Sequence, residues 1–170
     1  MRHIIHEVLE RSELIHDRTA IETSIEQVAS RIRKDCHGQF PVFLTLMHGG
    51  MFFASRLALD LGIDAEFDYL HATRYHGETA GSGLAWLHRP SALIEGRTVL
   101  LVDDILDEGI TLAAIKERLI EHGAAEVVTA VLADKNIGRD KPITADFVGL
   151  SLPNRYVFGC GMDVEGAWRN

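Results

Sequence analysis

Four carboxylates, Asp103, Asp104, Asp107 and Glu108, fall within six consecutive positions directly after an apolar run in LLVDDILDEGIT, residues 100–111. Two adjacent carboxylates at the end of a strand repel each other unless hydroxyl groups or a divalent cation sit between them. Gly109 follows, and the amides of Glu108, Gly109, Ile110 and Thr111 open a helix whose dipole makes them an anion site. Carboxylates for hydroxyls or a metal and a cradle for a phosphate thus share one loop. Helix capping alone, at about 0.3–1 kcal/mol per acidic residue, accounts for Asp107 and Glu108 but leaves Asp103 and Asp104 without a benefit.

The elements that must position this loop read as alternating strands and helices. TVLLV (98–102) is a buried strand, and Leu112, Ile115 and Leu119 give the next helix an apolar stripe that Gly123 closes. Upstream, Thr19 and Glu22 have the form of a capping box for a helix running to about Asp35, with Ile21, Ile25, Val28 and Ile32 on one face. PVFLTLM (41–47), HGG and MFFASRLALDLG (51–62) make a strand, turn and helix, and AEFDYLHATRY (65–75) a further strand. The polar, glycine-rich HGETAGSG (76–83) lacks periodicity and reads as a loop. EVVTAVLA (126–133), ADFVGL (145–150) and RYVFG (155–159) read as the remaining strands. The pattern predicts an α/β fold with a mostly parallel central sheet covered by helices on both faces. In such a sheet the ligand crevice lies beyond the carboxyl ends of the strands, where Asp103 and Asp104 are delivered. No repeat or linker divides the chain, so residues 1–170 are expected to form one domain.

Composition narrows the function classes. At 170 residues the chain can bury roughly 70% of its unfolded surface, and its formal net charge of −8 opposes nucleic acid and anionic membranes. The compact basic cluster Arg31, Arg33 and Lys34 lies on an amphipathic helix and reads as its solvated face. No segment has the length of a membrane span or a secretory core, which points to a cytoplasmic protein. Cys36 and Cys160 lack ligand spacing and read as free thiols, and the nine histidines form no HExxH arrangement.

VLLVDDILDEGIT resembles the phosphoribosyl diphosphate (PRPP) loop of the type I phosphoribosyltransferases, in particular their hypoxanthine-guanine branch. Four further segments occur in that branch's order: LMHGGMFFA (46–54) is similar to its diphosphate loop, TRYHGE (73–78) to the start of its lid, VLADK (131–135) to its base-contacting strand and RYVFGCGMDVEGAWR (155–169) to its purine hood. The resemblance implies a mobile lid near 74–88 and a hood near 151–170 over the carboxyl edge of the sheet. It implies a purine salvage enzyme that moves the 5-phosphoribosyl group from PRPP to hypoxanthine or guanine.

Residue roles follow from the same resemblance. Asp103 and Asp104 would hold the ribose hydroxyls and position Mg²⁺; Glu108, Gly109, Ile110 and Thr111 would hold the 5′-phosphate; Asp107 would be the general acid/base at the purine N7. Met47, His48 and Gly49 would meet the diphosphate through their amides, across a strained Leu46–Met47 peptide, with Arg74, Tyr75 and Arg169 beside it. Lys135 would donate to the purine O6, Tyr156 would stack on the base, Val157 would read its edge, and Asp163 would serve a second Mg²⁺ as well as the purine pocket. Four positions depart from the family pattern: Glu108 where threonine or serine is usual, Met47 and His48 for lysine and glycine, and Arg74 for the serine before the lid tyrosine. Departure of diphosphate from the anomeric carbon builds opposite charges on sugar and leaving group, which cations at one end and the attacking base at the other would stabilise. The implied partners are the two small-molecule substrates and further copies of the chain, as a homodimer or homotetramer. A regulatory nucleotide-binding protein on the same fold remains the alternative; an RNA-binding version needs a basic face that this acidic chain lacks.

Overall fold

The computed structural model describes residues 7–74 and 84–170. Their elements, in chain order, are α1 (Arg18–Asp35), β1 (Val42–Met47), α2 (Gly50–Leu61), β2 (Glu66–Arg74), β3 (Leu84–His88), β4 (Thr98–Leu106), α3 (Ile110–Glu121), β5 (Glu126–Lys135) and β6 (Phe147–Leu152). The six strands form one sheet in the order β3-β2-β1-β4-β5-β6. Every pairing is parallel except β2 with β3.

Alternation along the strands builds two apolar layers, because successive side chains of a strand point to opposite faces. On one face Ile25, Val28 and Ile32 of α1 and Phe53, Leu57 and Leu61 of α2 pack with Phe43, Leu100, Val102, Ala130 and Leu132. On the other, Leu112, Ile115 and Leu119 of α3 pack with Val42, Leu44, Leu70, Val99, Leu101, Val127 and Val131. The expected helix stripes therefore face the sheet, and α1/α2 and α3 cover opposite sides. Truncating a fully buried member such as Leu57 to alanine costs about 2–5 kcal/mol.

Four local expectations are corrected. The cap of α1 is Asp17, whose Oδ1 accepts from the Ala20 amide at 2.8 Å. Thr19 lies inside the first turn, and Glu22 bonds Arg18 at 2.9 Å instead of closing a capping box. The cis peptide of the β1–α2 turn is Met47–His48, one bond beyond the expected Leu46–Met47. Residues 84–88, assigned to the lid, form β3, with Trp86 packed on the α3 side of the core and the Tyr69 and His88 rings stacked at 4.2 Å. RYVFG is not a strand: the chain from Pro153 onward is irregular, held by two isolated bridges, Gly159 to Met162 and Val164 to Ala167. The backbone bonds at 155–159 are local, Arg155 N–H to Pro153 O at 2.8 Å and Gly159 N–H to Met162 O at 2.9 Å, and belong to no ladder with the sheet. The expected lid residues 75–83, Tyr75 among them, lie outside the described residues.

The basic cluster does structural work. Arg31 donates to the carbonyls of Val148 and Asp146 at 3.3 and 3.2 Å, and Arg33 to those of Leu61 and Asp60 at 3.0 and 2.6 Å. These guanidinium groups pin β6 and the carboxyl end of α2 to α1, as expected for donors near free carbonyls. No helix among the described residues is long and apolar enough to cross a membrane.

Candidate active site

Near the carboxyl edge of the sheet β4 carries Asp103 and Asp104, and the strand, expected to stop at Val102, continues through them to Leu106 because its pairing with β5 does. Each turns back on the chain: Asp103 Oδ1 accepts from the Asp104 amide and Asp104 Oδ1 from the Ile105 amide, both at 2.9 Å. Asp104 is only 7% exposed. Desolvation and the neighbouring Asp104 charge hold the Asp103 carboxyl well above the usual carboxylate range, and desolvation raises Asp104 as well. An apposed pair held in this way is a receptor for hydroxyl donors or a cation.

Glycines let three separate segments close around this pair. A Cβ added to Gly49 would collide with the Asp104 carboxylate, and one added to Gly50 would stand 2.9 Å from the Val102 carbonyl. At Gly161, where φ is +119°, a Cβ would meet Gly49 O at 2.3 Å and Asp104 Oδ2 at 2.7 Å. The β1–α2 turn, the end of β4 and the C-terminal segment therefore meet at van der Waals range only because side chains are absent.

Beyond β4 the chain turns through Asp107 and Glu108 to Gly109, which caps α3 with φ +78° and offers no side chain to the first-turn amides. Asp107 and Glu108 do not cap the helix either. Asp107 Oδ2 lies 3.1 Å from Lys135 Nζ at the end of β5, and Glu108 Oε1 accepts from Arg139 at 2.7 Å. Thr111 stands in the first turn of α3 beside Ile110.

The C-terminal segment carries a second cluster. Arg169 forms a 2.6 Å ion pair with Asp163 and donates to Gly161 O at 2.5 Å, while Gly161 N–H returns a bond to Arg169 O at 2.8 Å. Asp163 Oδ2 also accepts from the Gly166 amide at 2.6 Å, and the Tyr156 hydroxyl donates to Asp163 O at 2.7 Å. The Tyr156 ring is 73% exposed, and Val157 is half-buried. The expected diphosphate cation and the expected second metal ligand are thus each other's partners here. Met47 ends β1 beside His71 of β2, and the His48 and His71 rings meet edge to face at 4.3 Å. Arg74 ends β2.

Divalent-metal chemistry fits the Asp103–Asp104 pair, whose repulsion and desolvation an ion would relieve. Among the described residues no three metal-ligating side chains gather round one point, so the ion would have to share oxygens of a substrate.

Two cations escaped the sequence reading. Arg139 and Lys141 sit in GRDKP, which has the composition of a solvated turn, yet Lys141 is nearly buried at 10% side-chain exposure. Its ammonium donates to Leu106 O at 2.7 Å and to Asp134 Oδ1 at 2.5 Å. A cavity of about 1180 Å³ lies against Leu14, Ile25, Phe53, Leu132 and Phe158; it also meets Tyr156 and Val157 of the expected purine hood, but its lining includes none of Asp103, Asp104, Asp107 and Lys135.

Comparison with known proteins follows the same lines. Residues 12–165 match the model of the phosphoribosyl transferase domain. The chain is 33% identical over 156 residues to the hypoxanthine-guanine phosphoribosyltransferase of Streptococcus pneumoniae, an alignment covering 91% of this chain and 86% of that protein. It is 28% identical over 171 residues to the enzyme of the same name from Bacillus subtilis, covering 100% of this chain and 92% of its relative. A crystal structure of a hypoxanthine phosphoribosyltransferase from Staphylococcus aureus superposes with a TM-score of 0.87 at 27% identity, covering 94% of this chain and 87% of the other. With the sheet order, the paired carboxylates and the glycine contacts all in place, the chain belongs to the phosphoribosyltransferase family, in its hypoxanthine-guanine branch.

Proposed function

We propose that this chain transfers the 5-phosphoribosyl group of PRPP to N9 of hypoxanthine or guanine, yielding IMP or GMP and diphosphate, a purine salvage reaction. The observation that carries this reading is the Lys135–Asp107 pair, an ammonium and a carboxylate 3.1 Å apart at the ends of adjacent strands. A 6-oxopurine offers O6 to the donor and N7 to the acid/base, so one edge of the base meets both groups. An anion enters from the α3 side, where Gly109 leaves the first-turn amides to the 5′-phosphate, with Thr111 beside them. The ribose hydroxyls meet Asp103 and Asp104. Arg169, held by Gly161 O, would face the diphosphate, and Tyr156 and Val157 would cover the base.

Mg²⁺, held by Asp103, Asp104 and the oxygens of PRPP, with Asp163 nearby, would neutralise charge on the departing diphosphate. The protein's own part is positional. The glycine contacts at 49, 50 and 161 set the carboxylates against the sugar, and Lys135 and Asp107 orient the base for attack at the anomeric carbon. Keeping water from PRPP is the part the resemblance gives to the segment at 74–83, of which 75–83 lie outside the described residues. We assign all of this to one domain of a cytoplasmic protein in which the thiols stay reduced, and exposed Phe67, Tyr69, Leu87 and Leu93 suit a homodimer or homotetramer.

One assay tests the reading: purified protein with PRPP and MgCl₂ against hypoxanthine, guanine, xanthine, adenine and uracil. Nucleotide formation from hypoxanthine and guanine supports it. Binding of PRPP or IMP without turnover would instead favour a regulatory nucleotide-binding protein.

A further inference from the structure

Leu106 and Asp134 face each other on a terminal rung of the β4–β5 ladder, and the next residue on each strand is Asp107 and Lys135. Lys141 joins that rung from outside. Its ammonium bonds the Leu106 carbonyl on β4 at 2.7 Å and the Asp134 carboxylate on β5 at 2.5 Å. With the side chain only 10% exposed, this cation has little water to fall back on, so the two protein acceptors are what hold it. The same turn reaches the far side of Asp107. A Cβ on Gly109 would meet Ile143 Cγ2 at 3.1 Å and Lys141 Cβ at 3.5 Å, so the turn backs both ends of the Asp107–Gly109 segment.

We infer that Lys141 is a positioning residue for base recognition: by tying the last rung of β4 and β5 it sets the separation of Asp107 and Lys135, and with it the enzyme's choice of a 6-oxopurine. This inference rests on the proposed function and deepens it. Lys135 meets Asp107 through one ion pair, whereas Lys141 holds one acceptor on each strand, so the Lys141 tie constrains the separation of β4 and β5 more than the pair does itself. A buried two-acceptor lysine directly beneath it is stiff. Loss of that tie lets the strand ends separate, and discrimination between a carbonyl and an amine at position 6 depends on keeping donor and acceptor in register.

The experiment compares Lys141→Met, which keeps the chain length without the charge, with Lys141→Arg and with Ile115→Val, a core change in α3 remote from the pair. Melting temperature, Mg-PRPP affinity by calorimetry, and kcat/KM for hypoxanthine and adenine are measured on each. Lys141→Met is expected to lose about tenfold or more in kcat/KM for hypoxanthine, a misplacement effect, and to narrow the hypoxanthine-to-adenine ratio, with Mg-PRPP affinity held within about threefold. Lys141→Arg should recover most of the ratio, and Ile115→Val should keep it whatever its melting temperature. An unchanged ratio in Lys141→Met overturns the inference, as does a ratio that falls equally in Ile115→Val. If Lys141→Met does not fold, Asp134→Asn removes the anionic half of the tie and is read by the same two outcomes. Wild-type protein that forms no nucleotide from PRPP and hypoxanthine would defeat the functional reading itself, whatever Lys141 does.

Discussion

Lys135 Nζ stands 3.1 Å from Asp107 Oδ2 across 28 residues of sequence, brought there by the parallel register of β4 and β5. Removing either partner has a distinct expected consequence. For Asp107→Asn, Mg-PRPP binding should stay nearly intact while kcat falls by about 10²-fold or more, the scale of a positioned acid/base. Calorimetry with single-turnover kinetics separates the two effects.

Lys135→Ala should depress hypoxanthine turnover and narrow its advantage over adenine. An ammonium has donors only, so it pairs with a 6-oxo group and meets the 6-amino group of adenine donor against donor. A site built round one such bond can reject the mismatched base by about 10⁴-fold. Xanthine, with an oxo group where guanine carries an amine, should be a poor substrate. Equal wild-type rates with adenine and hypoxanthine would remove the assigned role of Lys135.

At Glu108 the carboxylate is turned to Arg139, but both side chains are largely exposed, so the ion pair contributes little stability. Glu108→Thr should leave the melting temperature nearly unchanged. It should tighten PRPP binding about two- to fivefold by removing a negative charge beside the 5′-phosphate amides. A large loss of affinity would give the glutamate an attractive role in binding.

The Asp103 carboxyl is held above its ordinary range by desolvation and by Asp104. A raised acid makes no difference to stability below its unfolded pKa of about 3.9 and becomes progressively destabilising as pH rises towards its folded value. In Mg²⁺-free buffer, Asp103→Asn should therefore melt at a higher temperature than wild type at pH 8, with the gap closing near pH 4. The same variant should lose Mg-PRPP binding. Thermal melts across pH, paired with calorimetry, check both halves.

Gly161→Ala should be among the most damaging single-methyl changes in the protein. The new Cβ would stand 2.3 Å from Gly49 O, at a φ of +119° that other residues rarely adopt. A loss of about 2–4 kcal/mol is expected, with PRPP affinity falling as Asp104 is displaced. Urea melts and calorimetry read the two effects.

What the chain declared by itself was local in origin. The helix stripes of Ile21 to Ile32 and Leu112 to Leu119, the apolar runs at 41–47 and 98–102, and the carboxylates bunched after VLLV are properties of contiguous residues, so periodicity and spacing expose them. The glycines of HGG and the positive-φ Gly109 belong to the same local grammar.

Tertiary structure decided the rest, for reasons of partnership. LAWLH becomes a strand because β2 offers it an edge and the core a place for Trp86, whereas RYVFG, apolar enough for a strand, pairs with no strand of the sheet, and its backbone bonds go to Pro153 and Met162 beside it. The start of α1 shifts to Asp17 because a nearer carboxylate takes the Ala20 amide. Lys141 reads as a surface residue in GRDKP and is buried only because β4 and β5 present it with two acceptors, Leu106 O and Asp134 Oδ1, 35 and 7 residues away in sequence. A hydrogen bond between distant segments leaves no periodic trace in either, so the ties that set the distance from Asp107 to Lys135 became visible only when the sheet brought their ends together.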